Sequence, residues 1–388
     1  MNWQQEKQQL IAKSKRVLVK VGSAVLASGE GLDLARVERI AAEVAALHDT
    51  GREVIFVSSG AVAAGRGVMR ASRGNRPITT TALPDKQAAA AIGQSRLMHA
   101  YDQAFAARGK VSAQVLLTRE DLRSRQRFLN ARNTFATLLS WGAIPVVNEN
   151  DTVAVSELKF GDNDNLSGLL LNVTEADLFI NLTSASGVFD ADPGANPEAK
   201  VMDCIEDIQS LDVNALCGPK TALGSGGMHS KLLAARRAAQ IGVATYIIPG
   251  REEGILGRVF AEPAVTLGTW VRPSQKVIPS KKFWMAYNKD VAGALTIDAG
   301  AVKALLRGGK SLLPAGITGV SGGFGQGALV TINGPDGENI GVGLCNYSAA
   351  ELKRVMGKSL ATCAELLASN ATYAEAVHRD NMLLHAAI

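Results

Sequence analysis

The sequence has little of what builds metal centres or disulfide frameworks. Its 388 residues include four cysteines and five histidines. None of them shows the C-x-x-C or H-x-x-x-H spacing that is typical of metal sites. We therefore expect no zinc site, and cysteines that remain reduced.

Long hydrophobic runs are also missing. No stretch reaches the roughly 18 apolar residues that span a bilayer. The polar start, MNWQQEKQQLIAKSKR, lacks the apolar core of a signal peptide. We expect a cytoplasmic protein with no membrane partner.

The excess of positive over negative charge is small as well. The formal net charge is +5, and the part after Val277 has ten Lys and Arg against eight Asp and Glu. Proteins that bind nucleic acid usually concentrate basic residues to neutralise phosphates. The composition therefore gives little support to RNA binding as the primary role, whereas small anionic substrates fit it.

What the sequence does contain is an alternation of β-branched runs with helical stretches. We predict strands at 17–21, 53–59, 111–117, 144–148, 177–182 and 243–248. Continuous apolar strands are expected where helices cover both faces of a parallel sheet. The fold class is therefore α/β, with a mainly parallel sheet.

Helical spacing marks the segments between these strands. A helix over about 33–50 is predicted to bury one face, made of Leu34, Val37, Ile40, Ala41, Val44 and Leu47. A second helix is predicted over about 87–108. The polar, arginine-rich stretch at about 66–86 is interpreted as a mobile loop.

The rhythm changes after about Gly257 to short strands separated by Gly and Pro turns. The segments ALTIDAG, SLLPAGI, GALVTI and IGVGLC are predicted strands of a small β-rich domain, with helices after about Ser348. We predict an N-terminal extension at 1–14, a first domain at 15–258, a linker at 259–276, a second domain at 277–365 and a tail at 366–388. A chain that ends near Gly268 is then expected to keep the first core.

Small and polar residues follow the predicted strands, where open parallel sheets bind ligands. Lys20 lies in an apolar run and is followed by Gly22 and Ser23. A lone lysine in a strand most often reaches from an edge to water. Here the Gly-Ser turn adds exposed N–H groups beside a positive charge, which favours a site for a transferring phosphoryl group.

Two further segments are unusually rich in polar groups or glycine. The stretches 148–151 and 161–165 read NEND and GDNDN, and amides with carboxylates can recognise an amino acid or help to hold magnesium. Glycines at 224–227 precede a helix, which suits a phosphate loop or a plain turn. The G-x-G-x-x-A match at 323–328 precedes a strand, so it is assigned to a turn and not to a dinucleotide site.

Read together, these motifs resemble the amino acid kinase family, and within it the members that phosphorylate glutamate. The motifs occur in the family's order: VKVGS, VSSGA, NENDTV, GDNDN, LTSASGVFDADP and GSGGMHSK. The resemblance covers about 15–258, while about 275–365 resembles a PUA domain. It implies a three-layer αβα sandwich followed by a small β-rich domain.

The resemblance also assigns roles to residues. Lys20 and Lys231 would flank the transferring phosphoryl group, and Asp164 would hold both lysines. The positions that correspond to glutamate binding are Ser59, Asn148, Asp151 and Asn163. The positions that correspond to ATP binding are Lys20, Thr183, Ser184, Ser225, Gly226, Gly227, Met228, His229, Ser230 and Lys231.

Ser184 and His229 differ from the other assigned positions. Ser184 stands where the family commonly has Asp, which puts the nucleotide contact at that position in question. His229 has no second ligand-type residue in its motif, and for the residue alone a surface or capping role is favoured. No metal ligand is assigned.

The implied reaction transfers a phosphoryl group from ATP, with Mg²⁺, to the side-chain carboxylate of L-glutamate. The family context implies γ-glutamyl phosphate as the product, a reductase that consumes it on the way to proline, inhibition by proline, and a homo-oligomer. Two alternatives stay open: an amino acid kinase with another acceptor, such as aspartate, acetylglutamate, carbamate or a nucleotide, and an RNA-binding protein.

Overall fold

The computed structural model describes residues 2–29, 31–74, 80, 82–154, 162–217, 227–287, 291–367 and 373–384. The chain folds into two compact units, Met1–Val277 and Ile278–Ile388. Each unit has a hydrophobic core of its own. None of the helices in these ranges is long and apolar enough to cross a membrane.

The first unit alternates strands and helices. Its elements, in chain order, are α1 Trp3–Lys13, β1 Arg16–Val21, α2 Ser23–Leu26, β2 Ala27–Ser28, β3 Gly31–Leu32, α3 Leu34–Asp49, β4 Glu53–Ser58, α4 Ala61–Ser72, α5 Leu83–Ala106, β5 Ser112–Leu117, α6 Arg119–Arg123, α7 Arg125–Ser140, β6 Ile144–Glu149, α8 Asp162–Thr174, β7 Leu178–Thr183, β8 Cys204–Ile205, α9 Val213–Cys217, α10 Met228–Gln240, β9 Ala244–Pro249, α11 Ile255–Ala261 and β10 Thr269–Val271. All six strands predicted from the sequence are confirmed, within one residue at each end.

Eight of these strands form one sheet in the order β5-β6-β4-β1-β7-β9-β10-β8. Strands β5, β6, β4, β1, β7 and β9 run parallel, and β10 pairs antiparallel with β9. The chain leaves β1 on one side to build β4 and later returns on the other side as β7. The strand order therefore reverses at β1, and crevices at such reversals are where open α/β sheets bind ligands.

Helices cover both faces of the sheet, as the predicted sandwich requires. On one face, Val17, Val19 and Val21 of β1 join the core that contains α3 and α5. The intervening β1 residues, Leu18 and Lys20, point to the opposite face, because side chains alternate along a strand, and α8 packs there. In α3 the predicted buried face is confirmed except for Leu34, which is 63% exposed because it is the first residue of the helix.

Helices α4 and α5 approach each other closely. A Cβ atom at Gly65 would lie 1.8 Å from the carbonyl oxygen of Ala89, and one at Gly93 would lie 1.8 Å from that of Ala61. Only glycine permits this packing.

The prediction of a mobile loop at 66–86 is wrong at both ends, because Arg66–Ser72 continue α4 and α5 begins at Leu83.

The range predicted as a linker, 259–276, belongs to the first unit. Strand β10 joins the eight-stranded sheet, and its Trp270 is fully buried, with its ring 5.6 Å from that of Tyr246. The predicted N-terminal extension is also integrated, since Ile11 of α1 is buried in the core. The prolines and polar residues that suggested a linker flank this short strand, which gave no clear signal because it has only three residues.

The second unit is built around a five-stranded sheet in the order β12-β11-β13-β14-β15. Its elements are α12 Ser280–Tyr287, β11 Gly293–Ile297, α13 Ala299–Gly308, β12 Ile317–Gly322, β13 Leu329–Asn333, β14 Asn339–Leu344, α14 Ala349–Val355, α15 Leu360–Leu367 and β15 Met382–Leu384. The predicted strand SLLPAGI is displaced: Pro314–Gly316 form a 3₁₀ turn, and β12 begins at Ile317. The turn at 323–328 precedes β13, as predicted.

A chain that ends at Val277 should fold, whereas one that ends at Gly268 should be destabilised. The shorter chain lacks β10 and the buried Trp270, and loss of a buried tryptophan side chain typically costs about 3–5 kcal/mol. Urea unfolding, followed by far-UV circular dichroism, measures the stability of both chains. Equal unfolding midpoints would contradict the assignment of β10 to the first core.

Candidate active site

The centre of the site is a buried carboxylate held by two lysines. Asp164 on the first turn of α8 lies with its Oδ1 2.5 Å from Nζ of Lys20, and with its Oδ2 3.3 Å from Nζ of Lys231. Lys20 comes from β1, and Lys231 comes from the first turn of α10. Only 3% of Lys20, 1% of Asp164 and 4% of Lys231 is exposed. The structure thus brings together the three predicted catalytic residues.

Two neutral donors complete the surroundings of this carboxylate. Ser230 donates its hydroxyl to Oδ2 over 2.6 Å, and Asn181 of β7 donates its amide to Oδ1 over 3.1 Å. An ionised carboxylate has about four lone-pair directions to satisfy. Each oxygen of Asp164 therefore has one lysine and one neutral donor.

The protonation of this cluster follows from its burial and its charges. Burial alone raises the pKa of Asp164, but Lys20, Lys231 and Ser230 outweigh that effect and hold it well below its usual range. Burial lowers the pKa of Lys20 to about 8; the Asp164 carboxylate opposes this shift and the Lys231 ammonium adds to it. At neutral pH the cluster has two ammonium groups and one carboxylate, so its net charge is positive.

A second polar network surrounds Asn163, the residue before Asp164. The Asn163 amide donates to Oγ of Ser59 and to Oδ1 of Asn148, each over 2.9 Å. Its own Oδ1 accepts from the backbone N–H of Glu149 over 3.2 Å. The carboxyl ends of β4 and β6 are thereby joined to the start of α8. Three of the predicted acceptor-binding residues lie together.

Asp151, the fourth predicted acceptor-binding residue, lies in a nearby pocket. The pocket is lined by Ala90, Gln94, Leu116, Glu149, Asn150, Asp151 and Thr152. Burial raises the pKa of Asp151 to about 6, and within the described part of the chain no lysine or arginine forms an ion pair with it. A half-buried carboxylate without a cation is suited to an ammonium group of a ligand.

The residues predicted to contact the nucleotide are only partly described. Thr183 is buried at the end of β7 and Ser184 follows on the surface. Gly227 precedes α10, and Met228 packs against a small core that includes Leu232. The ring of His229 lies 3.0 Å from Oδ1 of Asn214, a surface contact. Ser225 and Gly226 lie outside the described residues.

Sequence reasoning missed two residues of the site. Asn181 lies inside the apolar strand LFINLT, and an amide within such a run was a usable signal, because asparagine is rare in strands. Gln94 accepts a hydrogen bond from the Asn148 amide over 2.7 Å and lines the pocket of Asp151. Its position on α5 carried no signal, since polar residues on a helix are most often solvated.

Comparison with known proteins shows the family of the chain. Residues 15–249 match the model of the amino acid kinase family, and residues 293–366 match that of the PUA domain. The chain belongs to the amino acid kinase family. The second unit contains the PUA domain. The αβα fold around a mainly parallel sheet is the fold that the sequence motifs implied.

The chain is also similar to several proteins that share one name. A protein named glutamate 5-kinase from Oleidesulfovibrio alaskensis is 57% identical over the whole of both chains. Another of that name, from Nitratidesulfovibrio vulgaris, is 55% identical over the whole of both chains. A third, from Pelobacter propionicus, is 45% identical over 97% of this chain and 100% of its own length.

Replacing either lysine of the cluster should slow the amino acid kinase reaction without unfolding the protein. Lys20→Ala or Lys231→Ala should lower kcat by roughly 10²–10³-fold, the effect of losing one preorganised electrostatic group. Folding should survive, because the remaining lysine and Asp164 form a neutral pair. Steady-state kinetics and urea unfolding measure both effects, with the exposed Lys13→Ala as control. Near-normal kcat in either variant would remove that lysine from the phosphoryl site.

Replacing Asp151 should weaken acceptor binding specifically. We expect Asp151→Ala to raise KM for the amino acid acceptor far more than KM for ATP. In the native enzyme, kcat/KM for the acceptor should fall below about pH 6, because Asp151 becomes neutral there and no longer attracts an ammonium group. Initial rates between pH 5 and pH 8 test this.

The exposed Asp336→Asn serves as the control for that experiment. It should leave both KM values and the acid limb unchanged. An equal rise in both KM values for Asp151→Ala would indicate general damage to the site and would contradict the assigned role.

Proposed function

We propose that this protein transfers the γ-phosphoryl group of ATP to the side-chain carboxylate of L-glutamate. The observation that carries the proposal is the pair Asn163 and Asp164. These adjacent residues of α8 connect the polar acceptor network to the lysine cluster. The acceptor and the phosphoryl donor therefore meet over the strand ends at the reversal of the sheet. Membership of the amino acid kinase family and the glutamate 5-kinase relatives support the same reaction.

The reaction makes limited demands on the protein. The glutamate carboxylate is already ionised at neutral pH, so the attack needs no general base. One carboxylate oxygen forms a bond to the γ-phosphorus while the bond from that phosphorus to the bridging oxygen of ADP breaks. The product is an acyl phosphate. The protein has to bring two anions together and to neutralise the charge on the transferring group.

The buried lysine cluster meets this demand. Lys20 on a strand and Lys231 on a helix contact different oxygens of Asp164. Their ammonium groups would contact the phosphoryl oxygens, and Asp164 would keep them in place. The excess positive charge is destabilising without a ligand and is neutralised when phosphate enters, which favours the charged transition state.

The polar network and the Asp151 pocket would bind glutamate. Asp151 attracts the α-ammonium group, and the amides of Asn148 and Asn163 with the hydroxyl of Ser59 orient the substrate. The nucleotide would contact Thr183, Ser184 and the segment at the start of α10, with Gly227, Met228 and His229. The predicted nucleotide contacts of Ser225 and Gly226 lie outside the described residues. Ser184 in place of an acidic residue is proposed to alter nucleotide affinity but not phosphoryl transfer.

Magnesium is proposed to enter with ATP. The residues that the structure describes include no group of three or more His, Cys, Asp or Glu suited to a metal ion. Asp164 is already saturated by four donors. Mg²⁺ commonly keeps several waters and binds substrate phosphates with only one or two carboxylates, so it would reach the site on the phosphates of ATP. When bound, it would neutralise charge on the phosphates.

The wider assignments extend this proposal. We propose that the acyl phosphate feeds a reductase on the way to proline, that proline inhibits the kinase, and that the protein is a homo-oligomer in the cytoplasm. The PUA domain is assigned no part in catalysis, since every described residue of the lysine cluster and acceptor network lies before Val277. RNA binding by that domain is not proposed as the primary role.

Trapping the acyl phosphate tests the proposed reaction. With ATP, Mg²⁺ and L-glutamate, added hydroxylamine should yield γ-glutamyl hydroxamate in proportion to ADP. Aspartate, acetylglutamate, carbamate and a nucleotide serve as competing acceptors. ADP release without hydroxamate from glutamate, or faster turnover with another acceptor, would overturn the proposed substrate.

A further inference from the structure

A single amide lies opposite Lys20 in the interior of the sheet. Asn181 of β7 is the register partner of Lys20 on β1. The neighbours on either side of this pair are Val57 of β4 and Ile247 of β9. Asn181 is fully buried. Two polar residues thus lie side by side between apolar neighbours in the sheet, and buried polar groups require a partner or a function.

The hydrogen bonding of Asn181 is incomplete. Its Nδ2 donates to Oδ1 of Asp164 over 3.1 Å, on the oxygen that Lys20 also contacts. Its own Oδ1 has no donor among the residues that the structure describes. A buried carbonyl oxygen without a donor destabilises a fold. Stability alone would therefore favour an apolar residue at this position.

We infer that Asn181 is a positioning residue for phosphoryl transfer, which fixes the Asp164 carboxylate so that Lys20 keeps its place. This inference rests on the function proposed above. Asn181 occupies one of the four acceptor directions of the carboxylate, beside Lys20, while Ser230 and Lys231 occupy the other oxygen. It does not touch a substrate. It acts through Asp164.

The physical reason is competition for the carboxylate. With all four directions filled, the Asp164 side chain cannot rotate, and its negative charge is shared among four donors. Without Asn181, one direction on Oδ1 is empty. The carboxylate can then turn toward Lys20 and draw the ammonium group deeper, away from the phosphoryl oxygens. Misplacement of a catalytic group on this scale reduces kcat more than substrate binding.

The first test is Asn181→Leu, which keeps the number and branching of the side-chain heavy atoms and removes the amide. We expect kcat to fall about tenfold while KM for glutamate and KM for ATP stay within about twofold. This loss is smaller than the roughly 10²–10³-fold expected for a group that contacts the transferring phosphoryl. Kinetics at pH 7 and urea unfolding of the full chain measure the effects.

The chain offers a matched control in Thr245. This residue lies on β9, beside Phe179 of β7, and is also fully buried with an unpartnered hydroxyl among the described residues. Thr245→Val should leave kcat and both KM values unchanged. If Asn181→Leu behaves like Thr245→Val, or changes KM as much as kcat, the inference is wrong.

A second variant decides the question even if Asn181→Leu folds poorly. The carboxyl of Asn181→Asp can donate to Asp164 only when protonated, so acid should restore the lost hydrogen bond. The ratio of native to variant kcat should therefore be smaller at pH 6 than at pH 8. A ratio that is constant, or larger at pH 6, overturns the inference. Absence of glutamate-dependent turnover in the native protein would instead refute the proposed function.

Discussion

Two ammonium groups and one carboxylate, buried at the reversal point of a parallel sheet, impose the main constraint on this molecule. Charges removed from water are costly unless they are paired and hydrogen-bonded. Asp164 meets this requirement with Lys20, Lys231 and two neutral donors, yet the cluster retains an excess positive charge. The pKa of Lys20 is lowered mainly by burial, and the ammonium group of Lys231 adds to this shift. A phosphoryl group is the natural complement of such a site, and the rest of the first unit serves to assemble it.

The sheet topology explains how distant residues meet there. Lys20 and Asp164 are separated by more than 140 positions, but β1 is the strand that the chain leaves in one direction and rejoins from the other. Helix α8 crosses from β6 to β7 and starts at the carboxyl ends of the strands. Its first turn is held by Ser59 and Asn148. Lys20, Asp164 and Lys231 are thus carried by a strand and two helices and not by loops.

The sequence predicted those parts of the site in which the chemical groups and the periodic pattern lie within one short segment of the chain. Lys20 in an apolar run, the density of polar residues around Asn163 and the glycines before Lys231 all marked strand or helix ends. Strand β10 was not predicted, because three residues are too few to show a periodic pattern. As a result, the linker between the two domains was misplaced at 259–276. The contact of Asn181 with Asp164 could not be foreseen either. It depends on which strand lies beside β1, and that is a property of topology and not of any local pattern.

If Asn163 binds the acceptor as proposed, its adjacency to Asp164 limits how far the acceptor site can change without disturbing the lysines. Consecutive Cα atoms are about 3.8 Å apart, so one peptide bond sets the spacing between the acceptor network and the lysines. A shift of α8 that accommodates a longer or shorter acceptor would also displace Asp164 and slow the chemistry. Under the proposed function, a different acceptor would therefore be accommodated by groups on other elements, such as Gln94 on α5 and Asp151 after β6, which line the same pocket. Changes of substrate would then be confined to the rim of the site, while its centre stays fixed.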